Sequence, residues 1–143
     1  MQITETSKNL LKTKFSSLDV SNLSSIVSNA RKGVKARVFY DFAATIKMPE
    51  KDLASIINLS SRTISNYTQN KKTLAPIYSE HLLKLINLYQ QGEEIFGNID
   101  EFNLWLKKPF LNNKLTPLNL MITTGGVDLV AEELDKLAQG YPV

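Results

Sequence analysis

Residues 50–69 read EKDLASIINLSSRTISNYTQ, two short amphipathic stretches that meet at a corner near Asn58. The fifth residue of this stretch is Ala54, and only a small side chain there lets two helices cross closely. Asn58 is the ninth residue, where a tight turn needs positive φ, and asparagine tolerates that conformation better than most residues. Apolar side chains occupy the positions that a packed corner requires: Leu53, Ile57, Leu59, Ile64 and Tyr67. The spacing predicts a helix-turn-helix, with Pro49 at the first helical position and Ser60 capping the second helix.

The second helix of this motif leaves a polar face outward. In a DNA-reading motif that helix lies in the major groove, where Arg grips guanine and Asn or Gln grips adenine. The outward side chains are Ser61, Arg62, Thr63, Ser65, Asn66 and Gln69. The cations expected at phosphates are Lys71 and Lys72, with Arg31, Lys32, Lys35 and Arg37 from earlier in the chain. Helix-turn-helix geometry also occurs in domains that bind no nucleic acid, and this helix carries one basic residue, so both interpretations stay open.

The rest of the chain also follows the helical period of hydrophobicity. The longest helix is expected over 76–96, apolar around much of its circumference, with a second face left for another helix or another subunit. A loose arm over 1–20, with a short helix near residues 10–15, precedes the first regular helix. The other predicted helices are 23–31, 35–46, 49–58, 61–69, 100–106, 116–122 and 126–138. No segment alternates with period two for long, so we predict an all-α fold.

Composition and charge exclude several kinds of site and indicate which kinds of partner the protein has. The 143 residues include no cysteine, which excludes disulfides and zinc–thiolate sites. No apolar run is long enough to span a bilayer, and the N-terminus lacks the pattern of a signal peptide, so we expect a soluble cytoplasmic protein. Residues 1–47 carry eight Lys/Arg against three Asp/Glu, whereas residues 92–143 carry four against eight. This asymmetry favours a basic N-terminal part that contacts phosphate and an acidic C-terminal part that contacts a different partner. Two differently charged surfaces that contact only solvent explain it as well.

The sequence contains no nucleophile–base or metal-ligand constellation, and nothing groups the carboxylates from which a hydrolytic site would otherwise have to be made. His81 is the single histidine, too few for a metal cluster or a Ser-His-Asp triad, and we expect it on a helix surface. The acid pairs Glu93/Glu94 and Glu132/Glu133 are neighbours in sequence, which puts their side chains on different helical faces. Gly125-Gly126 follows no strand, so it is interpreted as a helix entry rather than a phosphate cradle. We predict no enzymatic activity, no cofactor, no metal and no small-molecule substrate.

Four stretches of the sequence are similar to a known family. They are Leu59-Ser60-Ser61-Arg62-Thr63-Ile64, then Ser79-Glu80-His81-Leu82, then Glu94-Ile95-Phe96-Gly97 with Trp105-Leu106 and Pro109, and finally Pro117 to Gly140 with Thr123, Gly126, Leu134 and Lys136. Together they resemble the antitoxins of the Xre/MbcA/ParS group, over about residues 24–141. The chain departs from that pattern at residues 111–115, where the family often has Leu-Gly-Gly. It also has Asp135-Lys136-Leu137 where the family has Gly-Arg-Ile, and lysine cannot make the bidentate contact of arginine.

The resemblance implies a protein with two binding functions. Its C-terminal module would bind and block a RES-domain toxin, a type understood to consume NAD or transfer its ADP-ribose, and its helix-turn-helix would bind the operator DNA of its own operon. It implies an N-terminal arm over 1–22, an Xre-like helix-turn-helix domain over 23–75, a connecting helix over 76–97 and a toxin-binding domain over 98–143. The toxin-binding candidates are Trp105, Thr123, Gly126, Lys136, Gly140 and Tyr141.

Some assignments have competing explanations at this stage. Trp105 suits a hot spot at a toxin interface, or a core position of the C-terminal module. The tail from Tyr141 is either frayed or inserted toward the toxin. We expect a homodimer, through the 76–96 helix or the N-terminal helices. The alternative function is a plain transcriptional regulator whose C-terminal module dimerises or senses a ligand.

Overall fold

The computed structural model describes residues 9–110 and 114–140, and that part of the chain is built from helices joined by short turns. The all-α prediction is confirmed. The helices are α1 Leu10–Lys14, α2 Leu23–Lys32, α3 Ala36–Thr45, α4 Glu50–Ile57, α5 Ser61–Gln69, α6 Pro76–Phe96, α7 Ile99–Leu106, α8 Pro117–Leu120 and α9 Thr124–Ala138. Among these helices none is long and apolar enough to cross a bilayer.

The helix-turn-helix has the local geometry that its sequence predicts. Asn58 adopts φ 63° at the end of α4, in the left-handed region. The Ser60 side chain accepts a hydrogen bond from the Thr63 backbone N–H at 3.1 Å and so caps α5. Ala54 is buried, as a close helix crossing requires, and Ile64 anchors α5 with no exposed surface. Pro49 differs slightly from the prediction, because it is the N-cap residue of α4 rather than its first helical residue.

Residues 17–86 form one compact unit, which contains α2 to α5 and the first half of α6. Two distant segments of this unit are joined by backbone pairing. The Leu74 N–H donates to the Val34 carbonyl at 2.8 Å, and Lys35 forms an isolated antiparallel bridge with Thr73. Ser79, fully buried, accepts from the Val34 N–H and donates to the Leu74 carbonyl, both at 2.9 Å. The start of α3 is therefore fixed against the chain that follows α5.

The long helix α6 is buried around most of its circumference, and Ile77 at its start is an exception with 71% of its surface exposed. His81 is 4% exposed, so the prediction that it lies on the helix surface is wrong. The reason is its position: His81, Leu85 and Leu88 follow the i, i+4, i+7 spacing of one helical stripe, and both leucines are buried. The apolar circumference that suggested a second partner for this helix is largely covered within the chain.

The second compact unit contains, among the described residues, 9–16 together with 87–110 and 114–140. The predicted helix near 10–15 is confirmed as α1, but the expected looseness of residues 1–20 is wrong for Leu11, Phe15 and Val20, which are all buried. The carboxylate of Glu93 on α6 accepts the Leu11 backbone N–H at 3.0 Å and the Leu10 N–H at 3.2 Å. It satisfies two amides at the start of α1, which would otherwise lack helical partners.

The predicted domain boundaries at 22/23, 75/76 and 97/98 stay predictions.

Glu93 should make the stability of this unit depend on pH. Burial raises its pKa above the usual 4.5, against the opposing effect of the hydrogen bonds from Leu11 and Leu10. Folding therefore favours the protonated form, so the stabilisation is complete below pH 4.5 and is lost as pH rises through the raised pKa. We expect the free energy of unfolding of the wild type, measured against Glu93→Gln, to fall as pH rises from 4 to 8.

Urea unfolding followed by tryptophan fluorescence measures this difference, because Trp105 is the single tryptophan and lies in the same unit. Glu94→Gln is the matched control, since the Glu94 carboxylate is exposed and pairs with Lys12 at the surface. A wild-type minus Glu93→Gln difference that stays constant across the pH range would contradict the prediction.

Capping residues set the boundaries of the last three helices. The Asn98 side chain accepts the Glu101 N–H at 2.8 Å and caps α7, which begins at Ile99, one residue before the predicted start at residue 100. Thr116 and Asn119 cap α8 reciprocally, and α8 ends at Leu120, two residues earlier than predicted. Thr123 caps α9, which begins at Thr124 rather than at Gly126. Each of these N-caps is a side-chain oxygen bonded to a free amide three residues on.

Candidate DNA-binding and partner-binding surfaces

The outward face of α5 is the first candidate surface. Of the side chains predicted to read bases, Ser61, Arg62, Asn66 and Gln69 are exposed, whereas Thr63 and Ser65 are half-buried. The Thr63 hydroxyl lies 2.8 Å from the Ser60 hydroxyl, so part of its hydrogen-bonding capacity serves the cap. The structure therefore presents Arg62, Asn66 and Gln69 as the long polar side chains of this face.

Beside the end of α5 lies a groove of about 340 Å³, which we call the basic groove. Two of its cations, Lys71 and Lys72, follow α5, and two, Lys35 and Arg37, lie at the start of α3. Ala36 and Thr68 complete the lining. The sequence pointed to these four cations one by one, and the fold brings them together. Arg31 and Lys32, proposed with them, lie at the end of α2 and do not line the groove.

Trp105 lies half-buried in an aromatic cluster of the second unit. Its ring centroid is 5.7 Å from that of Phe96, 5.9 Å from Phe102 and 6.3 Å from Phe110. A Cβ added at Gly92 would overlap the Phe102 ring, so α6 approaches α7 closely at that point. These contacts explain Trp105 as a packing residue of the unit. The sequence offered no signal for the role of Gly92, because it depends on a helix that follows later in the chain.

Thr123 and Gly126 form the joint between α8 and α9. The Gly126 N–H donates to the Thr123 hydroxyl at 2.9 Å, and the Val127 N–H donates to the Thr123 carbonyl at 3.0 Å. A Cβ at Gly126 would overlap the carbonyl oxygen of Leu120, because the two backbones touch there. Gly126 is buried and Thr123 is occupied by capping, so both have a structural role. Contact of either with a toxin stays a prediction.

The outer stripe of α9, as we name it, is the second candidate surface. Its members are Gly125, Leu129, Glu132 and Lys136, all exposed and spaced so that they share one helical face. Leu129 leaves 52% of its surface to solvent. Lys136 pairs with Glu133 at 3.2 Å along the same helix. Gly140 follows the helix with φ 86°, and Tyr141 lies outside the described residues.

The two regions that carry the candidate surfaces are both similar to known protein domains. Residues 25–87 match the antitoxin Xre-like helix-turn-helix domain, and residues 91–140 match the antitoxin Xre/MbcA/ParS C-terminal toxin-binding domain. The chain is also 26% identical over 115 residues to the protein named antitoxin Xre from Pseudomonas putida strain KT2440, a match that covers 76% of this chain and 72% of that protein. The chain belongs to the Xre family of antitoxins, with a helix-turn-helix domain followed by a toxin-binding domain.

Proposed function

We propose that this antitoxin neutralises a RES-domain toxin and represses its own operon. The observation that carries the toxin-binding half is the outer stripe of α9, a solvent-exposed leucine flanked by charged side chains inside the matched toxin-binding domain. Exposed apolar side chains ringed by polar residues are typical of protein interfaces. The RES type of the toxin rests on the sequence resemblance. In this proposal the antitoxin binds without catalysing, and it works in the cytoplasm, where operator DNA is accessible.

Co-expression with the adjacent reading frame tests the toxin-binding half. We expect a complex that survives pull-down and a restored growth rate. Leu129→Ser and Lys136→Glu should each weaken the complex about tenfold or more, the loss typical of a truncated interface anchor. The matched control is Leu104→Ser on α7 of the same unit, which removes an equally exposed leucine and should leave affinity unchanged.

The outcomes separate the two candidate functions. Absence of a complex, combined with tight binding to the promoter fragment, would contradict the toxin-binding half and support the plain transcriptional regulator. Equal losses for Leu129→Ser and Leu104→Ser would contradict the outer stripe of α9 as the specific toxin interface.

The helix-turn-helix supports the DNA-binding half of the proposal. Arg62 and Asn66 project from α5 at positions where such a helix reads base edges in the major groove, and Gln69 extends the same polar face to the end of the helix. One short helix buries too little surface for specific binding, so paired half-sites and a homodimer are part of the proposal. Leu23 and Val27 support the homodimer, because they lie one turn apart on α2 with 62% and 40% of their surfaces exposed. A molar mass of 16.1 kDa by light scattering at micromolar concentration would contradict it.

A further inference from the structure

We propose that the basic groove is a phosphate clamp, which holds one phosphodiester of the DNA strand bordering the major groove that α5 enters. The inference rests on the proposed DNA-binding function and deepens it. It assigns the sequence-independent part of the affinity to a place on the protein, separate from the base-reading side chains of α5.

The charge of the basic groove fits a phosphate. Its lining has four cations and no carboxylate, and Lys35, Arg37, Lys71 and Lys72 are all exposed. Among the residues that the structure describes, none of the four forms an ion pair with an acid. Converging cations without an internal partner repel one another, so an anion bound among them relieves that repulsion. A volume of about 340 Å³ leaves room for a phosphodiester group among the four cations.

The basic groove is also held in place before any ligand binds. The Ala36 N–H donates to the Lys72 carbonyl at 3.4 Å, beside the Lys35–Thr73 bridge, so the two cation-bearing segments are joined through their backbones. Lys71 adopts φ 56°, a left-handed conformation that lysine rarely takes, and the following Lys72 N–H donates to the Tyr67 carbonyl at 2.8 Å. This pinned turn returns the chain toward α3. A preorganised site spends little conformational entropy on binding.

Its position relative to α5 points to the DNA backbone. The nine residues of α5 rise about 12 Å, and the major groove is about 12 Å wide. A helix of this length that presents its N-terminal residues to base edges has its C-terminal end near the phosphates at the groove's border. Thr68 on the last turn of α5 lines the basic groove, so the clamp lies at that end.

The salt dependence of DNA binding tests the clamp. The probes are a DNA fragment from immediately upstream of the gene and an unrelated fragment of equal length, each titrated with the full chain over a range of KCl concentrations. Lys35→Gln combined with Lys72→Gln should lower the affinity for both fragments by a similar factor, about tenfold near 150 mM salt. It should also reduce the slope of log K against log salt by about 1 per protomer. Lys71 is left unchanged, because its left-handed backbone limits the substitutions that it tolerates.

Two further variants make the result specific. Lys107→Gln combined with Lys108→Gln removes the same charge from exposed positions of the other unit and should leave the slope unchanged. Arg62→Ala should reduce the preference for the upstream fragment while changing the slope little. Melting temperatures and toxin complexes equal to wild type would confirm that the variants fold.

Every other outcome contradicts either the phosphate clamp alone or the clamp together with the proposed DNA binding. If the wild type binds the upstream fragment and the Lys35/Lys72 variant keeps the wild-type slope, the clamp is wrong and the proposed DNA binding stands. If both double variants reduce the slope equally, net charge rather than the basic groove is responsible, and the clamp is again wrong. If the wild type binds neither fragment, the proposed DNA binding fails and the clamp fails with it.

Discussion

Gly126→Ala is expected to destabilise the second compact unit, which contains the matched toxin-binding domain and is called the toxin-binding unit below, by about 3 kcal/mol. We expect this loss to abolish neutralisation of the toxin at physiological temperature. The new Cβ would overlap the Leu120 carbonyl oxygen and lie 2.7 Å from the Leu120 carbonyl carbon. Both atoms belong to the backbone, so no side-chain rotation can relieve the clash. The turn between α8 and α9 must then open, which also breaks the hydrogen bond from the Gly126 N–H to Thr123.

The neighbouring glycine provides a matched control for this prediction. A Cβ at Gly125 meets nothing within 4 Å, and Gly125 also lies in the first turn of α9. Gly125→Ala should therefore leave the unit as stable as wild type, or more stable by about 0.5 kcal/mol through reduced chain entropy. Urea unfolding followed by Trp105 fluorescence measures both variants. Equal stabilities for Gly126→Ala and Gly125→Ala would show that the α8–α9 contact is looser than the structure has it.

The Gly125 variant also carries information about the toxin, since Gly125 lies on the outer stripe of α9. If Gly125→Ala folds as wild type but loses toxin affinity, the toxin contacts this end of α9. In that case the loss in Gly126→Ala combines unfolding with a steric effect, and only the unfolding measurement reports on the joint.

Leu11→Ala is expected to destabilise the same unit by about 2 to 5 kcal/mol, as is typical when a fully buried leucine is truncated. Leu11 has no exposed surface, and its backbone N–H is bonded to Glu93 on α6. Loss of the side chain leaves a cavity beneath α1, and the detached helix would leave the buried Glu93 carboxylate without its two amide donors. Such a carboxylate is costly to keep inside a protein.

This result would extend the toxin-binding unit beyond its matched sequence. Residues 9–16 lie outside the matched ranges 25–87 and 91–140, yet they belong to the unit that contains the second range. The control is Lys12→Ala, which removes a long exposed side chain whose surface pair with Glu94 contributes little stability. We expect toxin affinity to fall for Leu11→Ala and to persist for Lys12→Ala. Wild-type unfolding of Leu11→Ala would mean that α1 contributes no stability to the unit.

The aromatic and glycine residues of the C-terminal unit show where interpretation of sequence patterns stopped. Trp105, Thr123 and Gly126 were singled out as candidate toxin contacts, with a core position as the alternative for Trp105. The structure gives each of them a packing or capping role within the unit, and their contact with a toxin stays a prediction. A residue that a family needs for folding and one that it needs for binding leave the same trace in a motif. Burial and contacts identify the folding role, whereas toxin-affinity measurements on variants test the binding role. Exposed Leu129 was the reverse case, an apolar residue of the helical pattern that the fold leaves at the surface.

The sequence by itself determined the features that depend on residues within about one helical turn. The left-handed Asn58, the Ser60 cap and the full extent of α6 all follow from short-range sterics and hydrogen bonds, which act between neighbours in the chain. The tertiary structure decided which distant residues meet. It brought Lys35 to Lys72 in the basic groove and Leu11 to Glu93 in the second unit. Such meetings depend on how whole helices bury their apolar faces against one another, and no local rule of spacing contains that information.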